Sequence, residues 1–371
     1  MRFLHLADLH LGWAPRFLGE NEAGRRQERD NLLARAVDYA VNPAHGIGLV
    51  VIAGDLFESH RPERVLAERV VQELRRLEEA GVQLVTVPGN HDEITYHNSV
   101  YRELAGSWPG VLVQNPTPET VAELEIQGET CHIYSLAYTG GITSTAEPLA
   151  TFPRRETPGW HLGLFHGSLD WQAGDRSLPL SSQGLAQARY HYVALGHVHG
   201  HREVQLPAGP AVYAGAVESK GFSDPGVGFF TVVTLAQGGA VMEQVPAGTR
   251  PLRVETLDAG LFPTREELER KVAAMADPQA MIRLLLTGVA NFPLHPASLA
   301  ERLRPHFYHL EIDDQTIALT PDLLAGWAGE PTIRGLFVRR LQARLAQANT
   351  DRERQVVTRA LLNGLASLES A

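Results

Sequence analysis

The chain has 371 residues, 44% of them apolar and 20% charged, the make-up of an ordinary soluble globular protein long enough for two or three domains. No apolar run reaches membrane-spanning length, and a single cysteine, Cys131, excludes an internal disulfide. The net charge of −10 excludes a uniformly basic nucleic-acid binder, so any such surface has to be a local patch.

Residues 1–249 alternate strand-like and helix-like segments, the pattern of an α/β domain. Met1-Arg2-Phe3 enters a strand directly, without the cleavage region of a signal peptide, which sets a cytoplasmic expectation. The apolar run 3–7 leads into Asp8-Leu9-His10-Leu11-Gly12, followed by a polar loop and a helical pattern over 27–41. Leu49-Val50-Val51-Ile52-Ala53 reads as a strand buried on both faces and stopped by Gly54-Asp55. Pro62 suits a first helical position; Val65, Val70, Leu74 and Leu77 trace an apolar stripe, and Gly81 ends the helix. Residues 84–88 run into Gly89-Asn90-His91-Asp92, and 97–105 predict a short helix. From 106 to 159 the chain is turn-rich, with strand-like pieces at 110–114 and 131–138. Two more apolar runs, 161–165 and 192–195, precede His166 and Gly196-His197-Val198-His199, and 203–235 read as strands broken by glycine and proline.

The acidic excess lies within residues 1–249; the remainder is balanced. Residues 250–320 predict a small α+β unit: strands at 252–257, 281–287, 307–312 and 316–319, helices at 264–275 and 296–303. Residues 330–371 hold two helical patterns, 333–348 and 353–368, broken where Thr350 or Asp351 offers a cap, and so predict a helical hairpin.

Five apolar runs thus end on a potential metal ligand, and in sheet-containing α/β folds such ends converge. Asp8, His10, Asp55, Asn90, His166, His197 and His199 combine two carboxylates, an amide and four imidazoles without a thiolate. That donor set suits Mn²⁺, Fe²⁺ or Zn²⁺ better than Ca²⁺ or an iron–sulfur cluster. It is too large for one tetrahedral ion. Shared through one carboxylate it makes two sites, roughly 3.5–4 Å apart in two-metal enzymes, and an electropositive pair suited to a phosphate diester.

The motif order from Asp8 to His199 resembles the calcineurin-like metallophosphoesterases. Asp8-Leu9-His10-Leu11-Gly12, Gly54-Asp55-Leu56-Phe57 with Arg61-Pro62, and Pro88-Gly89-Asn90-His91-Asp92 resemble more narrowly their DNA double-strand-break-repair nucleases, the branch of the nuclease subunit of the bacterial SbcCD complex. The resemblance covers residues 1–235 and is mainly architectural beyond 250. It implies an α/β four-layer sandwich, two sheets flanked by helices, followed by a cap domain that would narrow access to duplex ends. It implies one metal on Asp8, His10, Asp55 and His199 and another on Asp55, Asn90, His166 and His197, manganese being the expected ion. His91 would stay off the metals, stabilising the transition state or protonating the leaving oxygen, with Glu58 as its acidic partner. The implied activity is 3′-to-5′ exonuclease and single-strand endonuclease action on DNA in repair. The implied partners are a second copy, through helices near 62–80 and 95–107, and the coiled-coil root of an ATPase, through the tail.

Plainer readings stand beside these. A Gly-Asp after a strand is usually a turn, whereas alternating histidines at a strand end have little packing use. His5 reads as a core strand residue, His60 as a loop residue, and His201 as solvent-facing. Arg61, Tyr96 and His97 are candidate backbone contacts for nucleic acid, or simply a solvated loop. The mixed charges of 62–80 suit an exposed helix face, and the tail's apolar stripes can pack on each other. Rival functions are a phosphodiesterase for small substrates such as cyclic nucleotides, a protein phosphatase, and a DNA-end-binding scaffold with structural metals.

Overall fold

A computed structural model describes the chain except for residues 139, 141–148, 171–176, 291, 293, 319–320 and 370–371. It forms two compact units, Met1–Thr249 and Arg250–Ala371.

The first unit is built on two sheets. In one, β1 (Arg2–Leu6), β2 (Leu49–Ala53), β3 (Gln83–Val87) and β4 (Val111–Leu112) run parallel. The antiparallel β12 (Phe229–Ala236) and β13 (Gly239–Pro246) extend it to the order β13-β12-β1-β2-β3-β4. The other is ordered β10-β11-β9-β7-β6-β5. Its strands are β5 (Glu119–Ile126), β6 (Glu129–Ser135), β7 (Trp160–Leu169), β9 (Tyr192–Gly196), β10 (Arg202–Gln205) and β11 (Pro210–Tyr213), with β8 (Leu178–Leu180) beside β7.

All five residues of β2 are buried, as expected of a parallel strand covered on both faces. Outside the first sheet, α1 (Glu22–Asp30) leads into α2 (Leu32–Val41), which lies beside α3 (Arg64–Glu79). Leu33, Val37, Leu74 and Leu77 share one core with Leu4, Val50 and Val85 and with Leu162, Leu164 and Ala194 of the facing sheet. On the far face of the second sheet, Leu185 and Ala188 of α5 (Ser182–Ala188) pack with Phe165, Tyr190 and Val193. The result is the expected four-layer α/β sandwich.

Three elements differ from the sequence reading. The single helix expected over 27–41 is two, because the chain turns at Asn31. β5, Glu-Thr-Val-Ala-Glu-Leu-Glu-Ile, pairs antiparallel with β6 although its glutamates masked the alternation. The helix expected at 97–105 shrinks to α4 (Val100–Glu103).

In the second unit β14 (Leu252–Asp258), β15 (Asp277–Thr287) and β17 (Phe307–Asp314) form a parallel sheet. Leu268 of α6 (Arg265–Ala273) and Leu299 of α7 (Pro296–Leu303) pack with Ile282, Leu284 and Leu310. A minor pair joins β16 (Val289–Ala290) to β18 (Ile317–Ala318). Helix α8 (Pro321–Gly329), unexpected from sequence, puts Trp327 into a core with Val289, Val338 of α9 (Ile333–Ala346) and Leu361, Leu362 and Leu365 of α10 (Asp351–Glu369). Thr350 Oγ1 accepts the N–H of Glu353 at 3.2 Å, one of the two caps anticipated.

Candidate metal centre

β1, β2, β3, β7 and β9 bring their motif residues to one place where the two sheets approach. Asp8, His10, Asp55 and His166 are at most 1% exposed. The backbone bends sharply to bring them in: Asp8 (φ 54°), His10 (48°), Asp55 (49°) and His197 (98°) all have positive φ. Such conformations cost a non-glycine residue on the order of 1–3 kcal/mol each and persist only where neighbours over-determine them. Here the loops after β1 and β2 lace together. Asp8 N–H donates to the Gly54 carbonyl (3.1 Å), His10 N–H to that of Asp55 (3.0 Å), and Leu11 N–H to that of Leu56 (2.9 Å). The Asp8 carboxylate accepts the N–H of His197 at 3.0 and 3.1 Å, and Asp55 Oδ1 accepts that of His91 at 2.9 Å. Gly89 and Gly196 are required by crowding: a Cβ there would come closer than 3.0 Å to Asp55 Oδ1 and to the Ala53 carbonyl.

Protein oxygens fix the imidazole tautomers. His166 Nδ1–H donates to the Ala53 carbonyl at 2.8 Å, and His199 Nδ1–H to Asp224 Oδ2 at 2.6 Å. His10 Nδ1 lies 2.9 Å from Glu58 Oε2, a close polar contact at an angle that does not make a hydrogen bond. The Nε2 lone pairs then point inward. Those of His10 and His199 meet at 3.0 Å, and His166 Nε2 and His197 Nδ1 each lie 2.9 Å from Asn90 Oδ1. Lone pairs aimed at one another in a buried space are what a cation resolves, so the donor set fits divalent metal. Asp8, His10 and His199 form one group of ligand atoms mutually within 4.8 Å; Asp8, Asp55 and His166 form another. A third group joins His10, Asp55 and His91.

The electrostatics agree. Burial drives His10 well below the usual imidazole range and His166 down to about 4, so both are neutral at pH 7 and able to ligate. Burial and the neighbouring Asp55 push the Asp8 carboxyl well up, a repulsion that a bound cation would relieve. For Asp55 burial is outweighed by His166 and His10, and its carboxyl is held low.

Residues 1–201 match the family described as calcineurin-like phosphoesterase. The chain belongs to that family. Calcineurin-like phosphoesterases use a dinuclear divalent metal site, and this chain holds candidate ligand groups for divalent metal. The chain is 24% identical over 309 residues to the uncharacterized metallophosphoesterase YhaO of Bacillus subtilis, covering 78% of this chain and 72% of that protein. It is 27% identical over 245 residues to the DNA double-strand break repair protein Mre11 of Methanopyrus kandleri (59% and 49%), and so spans about half of that relative's length. To Mre11 of Sulfurisphaera tokodaii it is 25% identical over 279 residues (72% and 68%). The suspected repair-nuclease branch of the calcineurin-like phosphoesterases is therefore supported.

Glu58 departs from the partnership expected of it. Its carboxylate lies nearer His10 (2.9 Å) than His91 (3.8 Å), while its backbone carbonyl accepts His91 Nδ1–H at 3.1 Å. The cause is local: Glu58 N–H donates to the Leu11 carbonyl, which ties it to the loop that carries His10. Of the remaining histidines, His5 is buried with Nδ1 3.0 Å from the Tyr192 hydroxyl, and His60 stacks on Tyr96 at 4.0 Å. His201 lies beside Glu203 at 3.5 Å, outside the ligand groups.

Three supporting residues escaped the sequence reading. Asp92 accepts from Phe57 N–H, Gly89 N–H and the Tyr101 hydroxyl (3.0, 2.7 and 2.8 Å), riveting the β3 loop to the β2 loop. Its place at the end of Gly-Asn-His-Asp was the available signal. Asp224 and Lys220 gave none, since each meets its partner only through tertiary packing.

Proposed function

We propose that this phosphoesterase is a two-metal DNA phosphodiesterase, a 3′-to-5′ exonuclease and single-strand endonuclease of DNA repair, working with Mn²⁺. In this reading Asp55 is shared by both ions, Asp8, His10 and His199 complete one site, and Asn90, His166 and His197 complete the other. Such a pair, when bound, neutralises the phosphodiester and activates water. The observation that carries the reading is His91. It stands against His10, ring centroids 4.7 Å apart, yet its side chain is 36% exposed, whereas Asp8, His10, Asp55 and His166 are buried. Donation from Nδ1 to the Glu58 carbonyl fixes its ring and leaves Nε2 to give a proton to the leaving oxygen or to steady the transition state. Asp8, through the backbone of His197, and Asp55, through that of His91, tie four strand ends together in two pairs.

DNA is favoured as substrate by relatives named for double-strand break repair. A homodimer through α3 and residues 95–107 is supported by Val65, 77% exposed on α3. An ATPase coiled coil on the tail is supported by the exposed Ile333, Leu336 and Val356, stripe residues that lie outside the helical core. The deciding experiment incubates the chain with Mn²⁺ and end-labelled duplex DNA beside bis-p-nitrophenyl phosphate. Shortening of the DNA strand from its 3′ end is expected. Turnover of the small diester alone would replace DNA with a small substrate, and end binding without cleavage would leave a scaffold.

A further inference from the structure

Asp8, His10 and His199 present their ligand atoms together, and one short turn stands behind both imidazoles. Asp224 Oδ2 accepts the Nδ1–H of His199 at 2.6 Å. Lys220 Nζ donates to Glu58 Oε2 at 2.7 Å, and the same oxygen lies 2.9 Å from His10 Nδ1. Lys220 and Asp224 are bound to each other by main chain: Lys220 N–H donates to the Asp224 carbonyl and Asp224 N–H to that of Gly221, both at 3.0 Å. The turn is anchored from below. The buried Arg29 guanidinium donates to the carbonyls of Glu218 (3.3 Å) and Ser219, and also to that of Leu9 (3.2 Å), the residue between Asp8 and His10. The Glu218 carboxylate pairs with Arg25, which is buried as well.

We infer that the turn from Lys220 to Asp224 positions one metal site of the pair and not the other. Asp224 sets the ring of His199 directly, and Lys220 sets the ring of His10 through Glu58. The inference rests on the reading of Asp8, His10 and His199 as ligands. His166 takes its support elsewhere, from the Ala53 carbonyl, and His197 Nδ1 faces Asn90 Oδ1, its proposed co-ligand. Lys220, one of only two lysines in the chain, is thus a positioning residue. It holds the Glu58 carboxylate against His10; without it Glu58 is free to change rotamer, and the imidazole loses the carboxylate that lies against Nδ1 and keeps Nε2 aimed inward.

The test is calorimetric titration of the metal-free chain with MnCl₂, which needs no nuclease activity. Outer partners of metal-bound histidines are worth about 10–100-fold in affinity, so Lys220→Met and Asp224→Asn should each weaken one ion by about 10-fold or more and leave the other within about 2-fold. Lys220→Arg should restore affinity, keeping a cation on Glu58. In a Glu58→Gln background, Lys220→Met should add less than about 2-fold, because its path runs through that carboxylate. Unchanged affinity in both single variants, equal weakening of both ions, or a full Lys220→Met effect in the Glu58→Gln background would overturn the inference. Should Lys220→Met fail to fold, Asp224→Asn and Lys220→Arg decide it. A wild-type chain that binds two Mn²⁺ ions but leaves DNA intact would sink the nuclease reading and leave this one standing; a chain that binds none would sink both.

Discussion

Asp55 Oδ1 accepts the backbone N–H of His91 at 2.9 Å, so the proposed bridging ligand and the proposed proton donor share one joint. The loop after β2 and the loop after β3 therefore move as a unit, and damage to either residue can be separated only by what each side chain does beyond that bond.

Asp55→Asn keeps an amide oxygen for the His91 N–H but removes the charge that faces His10 and His166. Both ions are expected to leave together. Metal analysis after dialysis checks this, and a variant that retains two tightly bound ions would refute the bridge.

His91→Asn removes the imidazole and leaves the proposed ligands in place. Metal content should stay at the wild-type level while hydrolysis falls about 10²–10⁴-fold, the usual weight of a positioned proton donor. Near-normal turnover on the diester would take His91 out of the mechanism.

Gly89→Ala forces a Cβ against Asp55, with both Oδ1 and the backbone nitrogen closer than 3.0 Å. The added methyl has no void to enter, so a loss of about 1–3 kcal/mol is expected together with weakened metal uptake. Thermal melting with and without Mn²⁺ measures both, and a variant that melts with the wild type would show that the joint is softer than its geometry implies.

His5 gives the metal-free chain a pH dependence. Burial lowers it from the ordinary 6.5 to about 3, so between those values the unfolded chain binds a proton that the folded chain refuses. The His5 contribution to stability is therefore complete above about pH 6.5 and shrinks as the pH falls toward 3. Relative to His5→Asn, wild-type stability in denaturant should decline by about 1.4 kcal/mol per pH unit between pH 6 and 4. Parallel stability curves would mean that His5 takes up its proton in the folded state.

The strand ends and the candidate residues that follow them were readable from the chain alone because both signals are local. An apolar run such as Leu49-Val50-Val51-Ile52-Ala53 and the glycine that stops it lie within a few residues of Asp55, and the same holds for Gly89-Asn90-His91 and Gly196-His197-Val198-His199. The two tail helices were legible for the same reason. The glutamate-rich β5 and the glycine-containing α8 were not, since packing overrode a weak local pattern.

Tertiary structure alone decided who supports the ligands. Lys220 reaches Glu58 across 162 residues, Arg29 reaches the Ser219 carbonyl across 190, and Asp224 meets His199 only because β9 and the turn before β12 come together. No periodicity or spacing records such pairs. They are chosen when the two sheets close and each buried donor must find whichever acceptor the packing has brought within reach.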